Sequence, residues 1–181
     1  MSSSGLQAPG HRRAARPNVV ASTFDAFIVA VWFTVAGIVG ALVWWQVTTL
    51  PTVTKSSDGA VLAPAELVKQ VGIDGWFFVI AAVGGLLSGI VLMAWRRRSP
   101  LLMLVMVVLG GALASWLMIH LGLSLGPEKE VTALSAVPDG GEVSMQLKLH
   151  APGMAWVWSI GAALGSLVYV WVLAKPSDPS S

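Results

Sequence analysis

The sequence predicts an all-α membrane protein, a four-transmembrane-helix bundle with a small extracytoplasmic β-containing cap. Three observations predict it. Four apolar stretches, Phe24 to Val47, Trp76 to Trp95, Leu101 to Leu123 and Met154 to Ala174, occupy about half of the 181 residues. The composition is 55% hydrophobic and only 11% charged, with a mean hydropathy of +0.75. The segment Glu142 to His150 alternates polar and apolar residues behind the turn sequence Pro138-Asp139-Gly140-Gly141. A hydrocarbon core of about 30 Å needs roughly 20 apolar residues at helical rise. Backbone in lipid must satisfy its own hydrogen bonds, so runs of that length become helices. A period of two suits a half-buried strand, and Asp-Gly turns supply positive φ at little cost.

Taken in order, residues 1–21 are rich in Ser, Gly, Pro and Arg and predict a disordered cytoplasmic tail. Residues 22–47 form the first span. Arg12, Arg13 and Arg16 before it imitate a signal peptide, but the run is too long and no small-x-small site closes it. Residues 48–75 form the first outer loop. There Thr52-Val53-Thr54 and Ala60-Val61-Leu62 flank Ser57-Asp58-Gly59 as a weak hairpin pattern, and Pro64–Gln70 predicts a short amphipathic helix. Span two is 76–95, the Arg-rich turn 96–100, and span three 101–123. The second outer loop, 124–153, predicts a β-hairpin whose strands are Val131–Val137 and Glu142–His150. Span four is 154–174, followed by a cytoplasmic tail, 175–181.

Charge sets the orientation. Arg12, Arg13, Arg16, Arg96, Arg97, Arg98 and Lys175 flank one set of helix ends, against Lys55, Lys69, Lys129 and Lys148 in the two longer loops. Cytoplasmic loops carry the excess of Lys and Arg, so both termini are expected in the cytoplasm of a multi-pass plasma-membrane protein. The outer loops hold Asp58, Glu66, Asp74, Glu128, Glu130, Asp139 and Glu142.

Small residues recur four apart on every span: Ala36 and Gly40, Gly85 and Gly89, Gly111 and Ser115, Gly161 and Gly165. Lipid supplies little hydrophobic drive between helices, so close backbone approach must provide it, and small residues allow that approach. Gly40, Gly85, Gly89, Gly111, Gly161 and Gly165 are therefore the expected packing positions. They serve the bundle itself or an interface with a membrane-protein partner or a second copy. Gly40-Ala-Leu-Val-Trp-Trp45 resembles Gly111-Ala-Leu-Ala-Ser-Trp116, as a duplicated helical hairpin would; the frequency of these residues in spans is the other explanation. Of nine tryptophans, Trp44, Trp45, Trp76, Trp156 and Trp158 fall near outer helix ends and Trp95 and Trp171 near inner ones, which predicts two interfacial belts. Trp32 and Trp116 lie deeper.

Four polar residues stand near the spans. Asp25 lies at the inner mouth of span one and Asp74 at the outer entrance to span two; acids there are costly or functional, unless hydrated at a helix start. His120 and His150 approach one membrane face, where two imidazoles can bind a metal or haem iron. His150 lies in the loop before Ala151-Pro152, which disfavours a matched pair. The chain has no cysteine, which excludes disulfides and thiolate metal sites. The sequence contains no Ser-His-Asp set, paired carboxylates, phosphate loop or HExxH motif, so no catalytic residue, cofactor or nucleic-acid partner is expected.

The stretch from Asp74 to Gly122 resembles an actinobacterial family of small four-span integral membrane proteins of unknown function. The residues that carry the likeness are the Asp74-Gly75 start, Gly84, Gly85 and Gly89 in span two, the turn Arg96-Arg-Arg-Ser-Pro100, and Leu109-Gly110-Gly111. A fourth helix bearing Trp156 and Trp158 after an outer loop completes it. The resemblance implies the fold and lends no catalytic residue. The expected function is a non-enzymatic accessory or scaffold protein of the bacterial plasma membrane, binding a larger membrane complex. The alternatives are a small transporter or channel lined by Asp25, Gln46 and His120, or a redox protein holding haem or metal at the two histidines.

Overall fold

A computed structural model describes residues 19–57, 59–95 and 100–173. In chain order the elements are α1 (Val19–Val47), β1 (Thr52–Ser56), β2 (Gly59–Leu62), α2 (Pro64–Trp95) and α3 (Pro100–Leu125). They continue with a short α4 (Glu130–Ser135), β3 (Glu142–Ser144), a 3-10 turn (Pro152–Trp156), α5 (Val157–Val168) and a π-helical turn (Tyr169–Leu173). Among the described residues, four helices are long and apolar enough to cross a membrane: Thr23–Val47, Pro64–Trp95, Leu101–Leu125 and Pro152–Val172. Pro64, Pro100 and Pro152 each open a helical segment, where a missing N–H costs nothing and the fixed φ already suits the helix.

Around the bundle the helices follow the order α1, α3, α5, α2. The closest pairs, α2 with α5 and α1 with α3, each run parallel, so the corresponding helices of the two hairpins lie side by side. Glycine makes these approaches possible. A Cβ on Gly85 would lie 2.5 Å from Trp158 O and 3.0 Å from Ala162 N, and one on Gly161 would lie 3.0 Å from Ala82 O. Gly89 meets Ala162 O, and Gly165 meets Leu86 O, at still closer range. The small-residue stripes of α2 and α5 therefore interlock with each other. Gly37 does the same for α1 against Ala114, and Gly111 for α3 against Ser159.

Other glycines are seats for rings. Gly84 and Gly40 face the Trp158 indole, Gly110 faces Phe33, and Gly122 faces Trp44. Trp44 and Trp158 are 0% and 2% exposed, so they leave the predicted outer belt and fill the core instead. Their indole N–H groups are satisfied inside: Trp44 Nε1 donates to Ile73 O at 2.9 Å, and Trp158 Nε1 to Met118 Sδ at 3.4 Å. Hydropathy places a tryptophan near a helix end, but only the neighbouring glycines decide whether the ring turns inward. Trp45, Trp76, Trp95, Trp156 and Trp171 are exposed.

At one end the two longer loops build a three-stranded antiparallel sheet in the order β2-β1-β3. Two expectations fail here. The hairpin is in the first loop, where β1 pairs β2 with Ser56 opposite Gly59, while the second loop contributes only a third strand. That strand is short and pairs with β1, setting Val53 opposite Val143, whereas Val131–Val137 falls largely in the helical turn α4. Beyond Ser144 the alternation serves another purpose: Leu147 is fully buried, packed against Gly122 of α3 and Gly126 just after it. The Pro138–Gly141 turn does form, with Gly140 at φ 86° and Gly141 N donating to Pro138 O. Pro64–Gln70 is not a separate helix either; it is continuous with span two in one helix of 32 residues. Span four begins in a 3-10 turn and ends in a π-helical one. The tails expected at 1–21 and 175–181 fall outside the described residues, except that Val19–Ala21 belong to α1, and most of the arginine turn lies outside them too.

Candidate functional site

Of the four polar residues that the sequence singles out, Asp74 and His150 meet at the sheet end of the bundle, and there Asp74 serves as a fastening. Asp74, on α2, accepts two consecutive backbone N–H groups: His150 N on Oδ1 and Ala151 N on Oδ2, both at 3.0 Å. These amides belong to the residues just before the 3-10 turn that enters α5. A carboxylate offers two oxygens in one plane, so it can hold both donors and fix the angle at which the chain turns down into the bundle. The His150 ring lies close as well, with Nδ1 3.8 Å from Asp74 Oδ1. Asp74 is thus the clamp between α2 and the start of the fourth span.

His120 turns elsewhere. Its Nδ1 lies 2.8 Å from Trp116 O, and because a carbonyl only accepts, Nδ1 carries the proton and Nε2 is the acceptor of the neutral ring. The imidazole also stacks on the Trp116 indole at 4.4 Å on an exposed face of α3. The two histidines therefore have different partners, and among the described residues no group of three or more His, Cys, Asp or Glu is placed to hold a metal ion. Asp25 is half-buried near the start of α1, far along that helix from the sheet.

A second fastening lies outside the four polar positions that the sequence points to. Glu66 Oε2 accepts Thr52 N at 2.9 Å and Glu66 Oε1 accepts Lys69 Nζ at 2.9 Å. It ties the first turn of α2 to the start of β1. A 32-residue helix is about 48 Å long against a hydrocarbon core of about 30 Å, so these first turns stand beside the sheet, outside the core. The hydrogen bond from Lys69, with that from the Thr52 amide, holds the Glu66 carboxyl below its ordinary value. Lys55 joins the two loops: its Nζ donates to Val137 O at 2.7 Å, and its backbone exchanges bonds with Gly140 and Gly141. The Glu66–Lys69 pair is local and legible in the sequence, whereas the Thr52 amide and the Val137 carbonyl that Glu66 and Lys55 hold lie 14 and 82 positions away.

Within the bundle, serines join the indole N–H groups of Trp44 and Trp158 in bridging helices. Ser88 Oγ accepts the Trp32 indole N–H at 2.9 Å, bridging α1 and α2. Ser159 Oγ donates to Val108 O, bridging α5 and α3, and Ser166 Oγ donates to Ala162 O. Around them the interior is apolar, with Phe33, Trp44, Phe77, Val107, Met118 and Trp158 all 2% exposed or less. Apolar grooves open laterally, among them one between α1 and α2 and one between α3 and α5.

Fold and site together define a multi-pass membrane protein: four helices long and apolar enough to span, interlocked by glycine and carrying a three-stranded sheet, with Glu66 tying α2 to the sheet and Asp74 tying α2 to the start of the fourth span. No protein-family model, curated protein or solved structure matches the chain.

Proposed function

We propose that this chain is a non-enzymatic accessory or scaffold protein of a bacterial plasma membrane, docking on a larger membrane complex or on a second copy of itself. The observation that carries the reading is the filled interior. Large rings occupy the bundle axis from Phe33 to Trp44, and three of the four buried serines among the described residues are committed to hydrogen bonds within or between helices. A transporter needs a hydrated path with ionisable groups along it, and a haem protein needs facing ligands at matched depth. Asp25 and His120 stand on separate helices, and His120 faces outward. What is left for function is the outer surface and the cap. Kinship with the actinobacterial four-span family belongs to the same proposal.

The arginine asymmetry supports cytoplasmic termini and an extracytoplasmic sheet. Reporter domains fused at Asp58 and Asp139 should be active outside the cytoplasm, and one fused after Arg98 inside it; the reverse pattern overturns the orientation. The functional class is tested by affinity purification of the full chain from native membranes. A stoichiometric membrane partner, or a stable homo-oligomer, is the expected result. Ion or solute flux through the purified chain in liposomes would overturn the scaffold reading in favour of transport.

A further inference from the structure

We propose that the outward face of α3 pairs with the same face of a second copy of this chain, the two helices lying parallel. The Trp116 indole N–H of each copy donates to His120 Nε2 of the other. The inference rests on the scaffold reading and names its partner and its face. Both groups are polar, exposed and placed inside an apolar span. Leu101–Leu125, 25 residues, is about 37 Å long against a hydrocarbon core of about 30 Å, so a centred core begins about 4 Å inside each end. His120 then lies about 4 Å, and Trp116 about 10 Å, below the core boundary on the sheet side. Polar groups at this depth have no water to bond. Trp32, Trp44 and Trp158 donate their indole N–H groups within the bundle, and five other tryptophans stand near span ends. Trp116 is different. It is 55% exposed, its contacts are through its carbonyl and its ring face, and its N–H has no acceptor among the described residues. His120 uses Nδ1–H on Trp116 O, which leaves the Nε2 lone pair without a donor there.

Complementarity chooses the occupant. The lone donor and the lone acceptor sit on one face of one helix, and their ring centroids are 4.4 Å apart. That offset is smaller than the length of an indole. Copies of one chain insert into a membrane in one direction, so two of them meet through a twofold axis along the membrane normal, equal helices parallel. In such a pair residue i touches j and j touches i, which one donor and one acceptor on the same face require. The bond is made twice, and the unmet groups of both copies are satisfied together. The surrounding side chains have the matching period. Leu102, Leu109 and Trp116 recur every seven residues, with Val105 and Ala112 between them. Leu102, Val105 and Leu109 are 42%, 49% and 65% exposed. A seven-residue repeat keeps one seam facing a parallel neighbour, and Ala112 admits close approach at its middle. Lipid tails could cover the seam, but they would leave the N–H and the lone pair unmet.

The test uses the full chain, whose lack of cysteine lets single reporters be placed at will. Leu109→Cys and Ala112→Cys, reconstituted in phosphatidylcholine vesicles and oxidised, should each give a disulfide-linked dimer, because equal positions face each other across the axis. Val83→Cys on α2 and Leu164→Cys on α5, exposed on other faces, should stay monomeric. Fluorescence transfer between labelled copies, followed as the vesicles are diluted with lipid, gives the dissociation constant. Trp116→Phe and His120→Phe should each raise it about tenfold, the effect of losing two interhelical hydrogen bonds in a membrane. Because the two side chains share each bond, the double variant should dimerise no more weakly than either single one. Crosslinking no stronger at the α3 positions than at the controls overturns the proposal. So does a dissociation constant that either substitution leaves unchanged, or effects that add in the double variant. If the chain fails to pair through α3 while a stoichiometric foreign partner co-purifies from native membranes, the α3 pairing falls and the scaffold reading stands. Solute flux by a chain that crosslinks as expected would do the reverse.

Discussion

At the scale of single residues, the two cap carboxylates act through geometry that their neighbours in sequence do not announce. Asp74 holds two backbone amides, so Asp74→Asn keeps one acceptor and turns an amide NH₂ toward the other donor. Losing a hydrogen bond to a charged group costs about 1.5–3 kcal/mol, and amide exchange at His150 and Ala151 should quicken. His150→Ala should do much less, because it is the backbone N–H of His150 that Asp74 holds. Equal damage from the two variants would show the ring to be the true partner. Glu66 adds a pH dependence. Its carboxyl is lowered on folding by Lys69 and by the Thr52 amide, so its stabilisation is complete above the ordinary carboxylate value. It is lost as the pH falls from there through the depressed one. Hydrogen exchange at Thr52 should accelerate on acidification through that window, and Glu66→Gln should abolish this dependence.

At the scale of elements, the α2–α5 pair is the joint on which the bundle depends. Gly85 and Gly89 face α5 backbone, and Gly161 and Gly165 face α2 backbone, so each stripe is the socket of the other. Gly85→Leu drives bulk into Trp158 O and Ala162 N, and overpacking of this kind typically costs about 1–3 kcal/mol. Gly85→Ala should be milder, though the 2.5 Å approach leaves no free space for its methyl. The yield of detergent-stable protein should fall sharply for Gly85→Leu and little for His120→Ala or His150→Ala. More damage from the histidine variants would point to a ligand site at the sheet end. Trp158 shows the opposite error. Emptying its seat between Gly40 and Gly84 with Trp158→Ala should cost about 3–5 kcal/mol, the usual range for a buried tryptophan, and lower the thermal midpoint accordingly.

At the scale of the whole molecule, the sheet joins two loops more than 80 residues apart, and the chain's lack of cysteine makes that joint easy to test. Thr52 and Ser144 face each other in a position between hydrogen-bonded pairs, where Cα atoms are about 4.5 Å apart and within disulfide range. The double variant Thr52→Cys, Ser144→Cys should oxidise to an internal crosslink that shifts mobility on a non-reducing gel. Leu134 offers no such partner, since it lies in α4, whose helix replaces the strand that periodicity suggests. Failure to crosslink would separate the loops and remove the sheet as a common cap.

The sequence by itself determined the four apolar spans, the helical start at Pro64 and the glycine turn at Gly140. Each of these follows from a local property: apolar length against bilayer thickness, a missing N–H, a missing Cβ. The first-loop hairpin was legible too, around Ser57-Asp58-Gly59. Tertiary structure alone decided which helix each glycine meets, that Trp44 and Trp158 turn inward, and that β3 pairs with β1 rather than within its own loop. It also decided that Asp74 gives both oxygens to amides 76 and 77 positions away. Hydropathy and periodicity describe how a residue meets an average environment. Which partner it meets depends on the order of helices around the bundle, and no local pattern in the chain encodes that order.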